Sequence, residues 1–173
     1  MGKIFHFVYI QPLHRIVIFM ILAAAMWGYL GNREQGSRRW RIINAVILVG
    51  ILAAIFYMTV YTRQEGAAEA VFVPFQSFRD ARIQPELYRT MLMNVLLFFP
   101  IGLTLPFVLR MRTLSVPVTV IAALLLSTGI EYLQYRYHLG RCEVDDVIMN
   151  TLGALAGCAA YWISRNIRIS AQK

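Results

Sequence analysis

The sequence predicts an all-α integral membrane protein, a bundle of five transmembrane helices that forms a single domain over residues 1–173. Hydrophobic residues make up 58% of the chain and charged residues only 15%, and the mean hydropathy is +0.56. Soluble domains are about 45–50% apolar and about 25% charged. A water-soluble monomer of this size could not bury this much apolar surface, and the same composition excludes a disordered chain.

Five continuous apolar runs approach the roughly 20 residues that a helix needs to cross the hydrocarbon. The runs do not alternate, which argues against transmembrane β-strands. Trp and Tyr residues lie at the ends of several runs, as expected at membrane interfaces. The first run is long for a signal-peptide core of about 7–15 residues, so we expect it to remain uncleaved. The predicted spans are residues 16–31, 42–61, 92–109, 116–135 and 145–163.

Lys and Arg residues are distributed unevenly between the two ends of the predicted bundle. The connections after spans one and three and the C-terminal segment hold nine of the 17 Lys and Arg residues and one acid. The other end holds eight basic and eight acidic residues, so the net charge of +8 belongs to one side. Because basic residues favour cytoplasmic loops, we expect the N-terminus outside and the C-terminus inside.

The basic residues flank helix ends and form no separate basic domain. We therefore expect contacts with membrane lipids and no nucleic-acid partner, despite a pI of about 9.9. Cys142 and Cys158 are predicted too far apart along the last helix and its preceding loop to form a disulfide. The three histidines lack metal-ligand spacing, so we expect neither a metal nor a cofactor.

One long outer loop, residues 62–91, joins spans two and three. Its segment VFVPFQSF is too apolar for disorder, and Pro74 and Pro85 divide the loop into pieces. We expect this segment to dock back on the bundle at the outer interface. An interfacial ledge and a lid over a ligand remain equally open.

Polar residues cluster at the outer ends of spans three, four and five, where ionisable groups are costly and therefore candidates for function. Glu131 and Gln134 share one face of span four. Asp145 and Asp146 open span five, where carboxylates cap free amides. The predicted site residues are Asn94, Glu131, Gln134, Arg141, Asp145, Asp146 and Asn150, and Arg82 of the outer loop is a further ligand-binding candidate.

Several interpretations of this cluster remain open. A purely structural network of ion pairs and helix caps is one. The favoured interpretation is non-catalytic: an outward-facing pocket that binds a polar head group or a lipid-anchored ligand. An enzyme would use Glu131, Asp145 and Asp146 as catalytic acid and base groups. A small lipid transporter is disfavoured because no inverted repeat is visible, and a homo-oligomer is left open.

Three motifs within residues 73–157 carry a family resemblance. They read NVLLFFPIGLTLP, IEYLQ and RCEVDDVIMNTLGALAG, and PFQSFRD precedes them. Together they resemble the VanZ-like family of membrane proteins, over roughly half of the chain. The resemblance implies a role in the cell envelope at the bacterial cytoplasmic membrane. It also implies a link to reduced susceptibility to teicoplanin, a glycopeptide antibiotic. Because teicoplanin carries an acyl tail, the resemblance suggests a lipid-tailed or lipid-linked molecule as the ligand.

Overall fold

The computed structural model describes residues 13–34, 37–63, 69–109 and 114–171, without the side chains of residues 13, 32 and 165–171. The predicted basic connection at residues 110–113 lies outside the described residues. In chain order the elements are α1 (Leu13–Arg33), α2 (Arg38–Phe56) with a π-helical turn (Tyr57–Tyr61), β1 (Glu69–Val71), α3 (Gln76–Asp80), α4 (Glu86–Val108), α5 (Ser115–Arg136), β2 (Arg141–Glu143) and α6 (Val144–Ala171).

The described residues contain five helices that are long and apolar enough to cross a membrane, namely α1, α2 with its π-helical turn, α4, α5 and α6. Each coincides with one predicted span. The largest differences lie at polar ends: α4 begins six residues before its apolar run, directly after Pro85, and α6 continues beyond its run. Proline is favoured at the start of a helix, because the N–H group that it lacks would have no hydrogen-bond partner within the helix there.

Helices α4 and α6 form the centre of the bundle, and glycines allow their backbones to touch. A Cβ atom at Gly153 would overlap the carbonyl group of Val95, and one at Gly157 would overlap that of Phe99. From the other side, Gly102 lies directly against the backbone at Ala154. Gly153 and Gly157 are therefore part of a close helix contact, which suits lipid because close packing replaces the hydrophobic effect there.

The apolar core extends from this contact to α2 and α5. Phe98, Ile101, Ala123 and Ala154 are buried together with Ile55 of α2. By contrast, much of α1 and α2 faces outward, with large exposed side chains along both helices. Exposed apolar faces of this extent are expected where helices contact lipid rather than water.

Most of the predicted outer loop is folded against one end of the bundle. Strand β1 pairs in parallel with β2, so that Glu69 lies opposite Arg141 and Val71 opposite Glu143. The short helix α3 follows β1. This end of the bundle also holds the C-terminal ends of α2 and α5 and the N-terminal ends of α4 and α6, so it receives all the predicted site residues.

Candidate functional site

Asp145 fastens the outer loop to the start of α6. Its Oδ1 atom accepts a hydrogen bond from the Phe75 backbone N–H at 2.6 Å, and its Oδ2 atom accepts one from the Ser77 N–H at 2.7 Å. Phe75 is the N-cap residue of α3 and has no side-chain acceptor of its own. Asp145, which is only 2% exposed, therefore supplies the missing N-terminal cap from a distant helix. The segment therefore docks on the end of the bundle, as the sequence predicts.

Glu143 and Arg141 reinforce the same attachment. The Ser77 hydroxyl donates to Glu143 Oε2 at 2.9 Å. Arg141 forms ion pairs with Glu69 at 3.2 Å and with Glu143 at 3.4 Å. These contacts join β1, β2 and α3, and together with Asp145 they form what we call the anchoring group: Ser77, Arg141, Glu143 and Asp145.

Glu131 lies on the buried face of α5 and contacts β2. Its Oε2 atom accepts a hydrogen bond from the Glu143 backbone N–H at 3.0 Å. The Cys142 thiol is also within hydrogen-bonding reach of this carboxyl group. Burial raises the pKa of Cys142, and the negative charge of Glu131 raises it further, so the thiol stays protonated over an unusually wide pH range.

Asp146 faces Glu131 closely enough for their charges to repel each other. Arg63, which follows the π-helical turn of α2, attracts both carboxyl groups. Gly140, with a φ of 119°, makes room for Arg63, because a Cβ atom there would lie 3.1 Å from its Nη1 atom. Asn94 of α4 adjoins Asp146, although its buried Nδ2 atom has no well-formed hydrogen bond.

Two further amide side chains lie nearly fully buried on the helices that carry these acids. Gln134 donates from Nε2 to the Thr59 carbonyl oxygen at 2.8 Å, and so caps a backbone carbonyl in the π-helical turn. Asn150 donates from Nδ2 to the Ser127 hydroxyl at 2.9 Å. The oxygen atoms Gln134 Oε1 and Asn150 Oδ1 are buried and lack a hydrogen-bond partner.

The structure thus divides the predicted polar cluster into two groups. Asp145 and Arg141 belong to the anchoring group. The other predicted residues of the helices, together with Arg63, lie on or next to the same helices as the acids Glu131 and Asp146, and we call this set the inner group: Arg63, Asn94, Glu131, Gln134, Asp146 and Asn150. Arg82 is exposed on the loop, and no described contact joins its side chain to either group.

Sequence reasoning missed Glu143, Ser77 and Arg63. Glu143 and Ser77 lie inside the motifs RCEVDD and PFQSF, so motif membership could have identified them. Arg63 carried no such signal, because its position depends on the π-helical turn before it and on the backbone at Gly140. In the part of the chain that the structure describes, no three His, Cys, Asp or Glu residues are arranged to hold a metal ion.

The fold and the two polar groups define a class of protein: a small helical bundle with five candidate membrane spans and an ion-rich cap at one end. A family model described as VanZ/LLP1 matches residues 44–165, well over half of the chain. The chain belongs to this family, which confirms the resemblance of its motifs. The matched region includes every residue of both groups.

A curated relative agrees with the family assignment. Protein VanZ of Enterococcus faecium is 31% identical over 77 residues, which are 44% of this chain and 47% of the relative. The matching part of the chain therefore spans about half the length of that relative. No solved structure is significantly similar to the chain.

Proposed function

We propose that this chain is a multi-pass protein of the bacterial cytoplasmic membrane whose inner group binds the polar part of a lipid-tailed or lipid-linked envelope molecule. The ligand's tail would remain in the outer leaflet, and its polar part would contact Glu131, Asp146 and the neighbouring amides. The teicoplanin-type lipoglycopeptides suggested by the VanZ-like resemblance belong to this ligand class. The proposed role is binding without chemical conversion of the ligand.

One observation carries the proposal: two buried hydrogen-bond acceptors without partners lie on the same two helices as the acids Glu131 and Asp146. Leaving a buried polar atom unsatisfied costs about 1–3 kcal/mol, and native proteins rarely tolerate such atoms without a reason. The oxygens of Gln134 and Asn150 are both in this condition. Hydroxyl, amide or ammonium groups of a ligand would satisfy acceptors of this kind, and the acids would favour a positively charged donor.

The proposed orientation supports access from outside the cell. The basic residues that outnumber acids are in the sequence around the end of α1 and the start of α2, between α4 and α5, and in the C-terminal segment. The C-terminal end of α1 and the N-terminal end of α2 are at the end of the bundle opposite the inner group. If they face the cytoplasm, Glu131 and Asp146 lie near the outer leaflet.

Orientation can be tested with the native cysteines. A membrane-impermeant maleimide, applied to intact cells at mildly alkaline pH, should label Cys142 and spare the buried Cys158. Labelling of Cys142 only after lysis would reverse the orientation and place the inner group at the cytoplasmic side.

Binding can be tested with variants that remove a charge or an amide group from the inner group, compared with a matched control variant outside it. We expect Glu131→Gln, Asp146→Asn and Asn150→Ala each to weaken teicoplanin binding to the protein in lipid nanodiscs, and to reduce any protection of cells in graded steps. Glu86→Gln removes the same charge from an exposed position at the same end of the bundle and should change neither. Unaltered binding in all three inner-group variants would refute the proposed ligand site.

A comparison of antibiotics addresses the ligand class. Cells with and without the gene are compared for susceptibility to lipidated and unlipidated wall-active antibiotics. A lipid-tailed ligand predicts a difference for the lipidated compounds only. An equal difference for both kinds would contradict the role of the tail.

A further inference from the structure

The segment of residues 72–83, which we call the ledge, presents an unusual number of apolar side chains to the outside. Phe72 is 73% exposed, Phe75 57% and Ile83 84%. Phe78 is also exposed, and its ring lies 6.1 Å from that of Phe75. These residues follow β1 and continue beyond α3, outside the helices that could cross a membrane. Their exposure therefore needs a separate explanation.

The ledge is held in place by several polar contacts, so these side chains are presented on a fixed backbone. Asp145 binds the N–H groups of Phe75 and Ser77, and Glu143 accepts from the Ser77 hydroxyl. Phe75 has a φ of 62°, a left-handed conformation that bulky residues rarely adopt because of steric strain. The anchoring group thus maintains an unfavourable backbone conformation that turns an aromatic ring outward.

The chemistry around the ledge matches the interface between lipid head groups and acyl chains. At the same end of the bundle, the π-helical turn exposes Tyr57 and Tyr61 and α5 exposes Tyr135, as in the aromatic belt of membrane proteins. Arg79 and Arg82 of the ledge are exposed and suit the phosphate groups that lie just above an interfacial aromatic layer. Apolar rings and flanking arginines together favour lipid over a purely apolar protein surface.

We propose that the ledge lies in the membrane interface, with its phenylalanines and Ile83 in the acyl boundary and its arginines at the lipid phosphates. The ledge is then a sixth membrane contact, running along the surface rather than through it. The proposal uses none of the inner-group residues, so it stands or falls separately from ligand binding.

The depth of the ledge can be measured by power-saturation electron paramagnetic resonance. Nitroxides are attached at Phe72→Cys and Ile83→Cys in a Cys142→Ser background, in nanodiscs of phosphatidylethanolamine and phosphatidylglycerol. The Cys142→Ser protein without an added cysteine is treated with the same label, to verify that the buried Cys158 does not react. Glu86→Cys serves as the matched control, because Glu86 is exposed, polar and close to the end of the ledge.

We expect collisions with lipid-soluble oxygen to exceed those with a water-soluble nickel chelate at both ledge positions, with an oxygen-to-nickel ratio at least severalfold above that of the control. If collisions with the nickel chelate predominate at both ledge positions, as they should at the control, the ledge lies in water and the proposal is overturned. Low collision rates with both reagents, together with dipolar broadening between nitroxides, would show a second copy of the chain covering the ledge and would also overturn it.

Discussion

Asp145 provides the sharpest test of how the ledge is attached. Both of its carboxylate oxygens accept backbone hydrogen bonds, at 2.6 and 2.7 Å, from Phe75 and Ser77. Asp145→Asn keeps the size of the side chain but replaces one acceptor oxygen with an amide group that can only donate. One of the two N–H groups then faces another donor, and the remaining bond loses its charged acceptor.

The magnitude follows from these two contacts. Hydrogen bonds to a charged group contribute about 1.5–3 kcal/mol each, and loss of a helix cap costs about 0.5–2 kcal/mol. We therefore expect Asp145→Asn to stabilise the undocked ledge by about 1.5–3 kcal/mol relative to the docked one. Since about 1.4 kcal/mol is a factor of ten in an equilibrium constant, the open population should increase about ten- to hundredfold.

Hydrogen–deuterium exchange measures this population directly. The backbone amides of residues 75–80 should exchange about ten- to hundredfold faster in Asp145→Asn, while those of α4 remain protected. Asp146→Asn is the matched control: it makes the same chemical change one residue further along but contacts neither of the N–H groups that Asp145 binds. If exchange at residues 75–80 were the same in Asp145→Asn and the wild type, the capping role would be refuted.

Three further outcomes follow from single contacts. Gly153→Ala should lower the thermal unfolding midpoint in detergent, because overpacking against α4 reduces the free energy of unfolding by about 1–3 kcal/mol. Gly50→Ala, where a Cβ meets no neighbour, should leave it unchanged or raise it slightly. The maleimide labelling rate of Cys142 should rise only at higher pH than that of a free cysteine, because a raised pKa leaves less thiolate, and Glu131→Gln should shift the profile to lower pH. Asn44→Leu should lower the free energy of unfolding by about 1 kcal/mol, because the Trp27 indole N–H that donates to Asn44 loses its acceptor; an unchanged unfolding midpoint would contradict that role.

The five long apolar helices could be predicted from sequence, because crossing lipid imposes a simple requirement on length and polarity. A close helix contact at Gly153 and Gly157 was also predictable, since these residues are four apart and face one way, but the sequence did not identify α4 as the neighbouring helix. The N-terminal end of α4 and the C-terminal end of α6 were harder to predict, because hydropathy does not detect a helix that continues into a polar layer.

The roles of the individual acids could not be deduced from their spacing. Asp145 and Asp146 are neighbours in sequence, yet successive residues of a helix point about 100° apart. One consequently reaches the ledge, whereas the other faces Glu131. Likewise, Arg141 was predicted as a site residue, but it binds Glu69 and Glu143, and the arginine whose charge acts on Glu131 and Asp146 is Arg63. Only the fold of the connecting loops determines which arginine arrives where.

The attachment of the ledge also has a consequence for biogenesis. Its partners are about 70 residues apart in sequence, with hydrogen bonds joining residues 75 and 77 to residue 145. Strand β2, which pairs with β1, and Asp145, which caps α3, are synthesised only after α4 and α5. The ledge of a growing chain therefore has no attachment until β2 and the start of α6 have been synthesised. A chain truncated before residue 141 lacks both β2 and Asp145, so its ledge cannot dock.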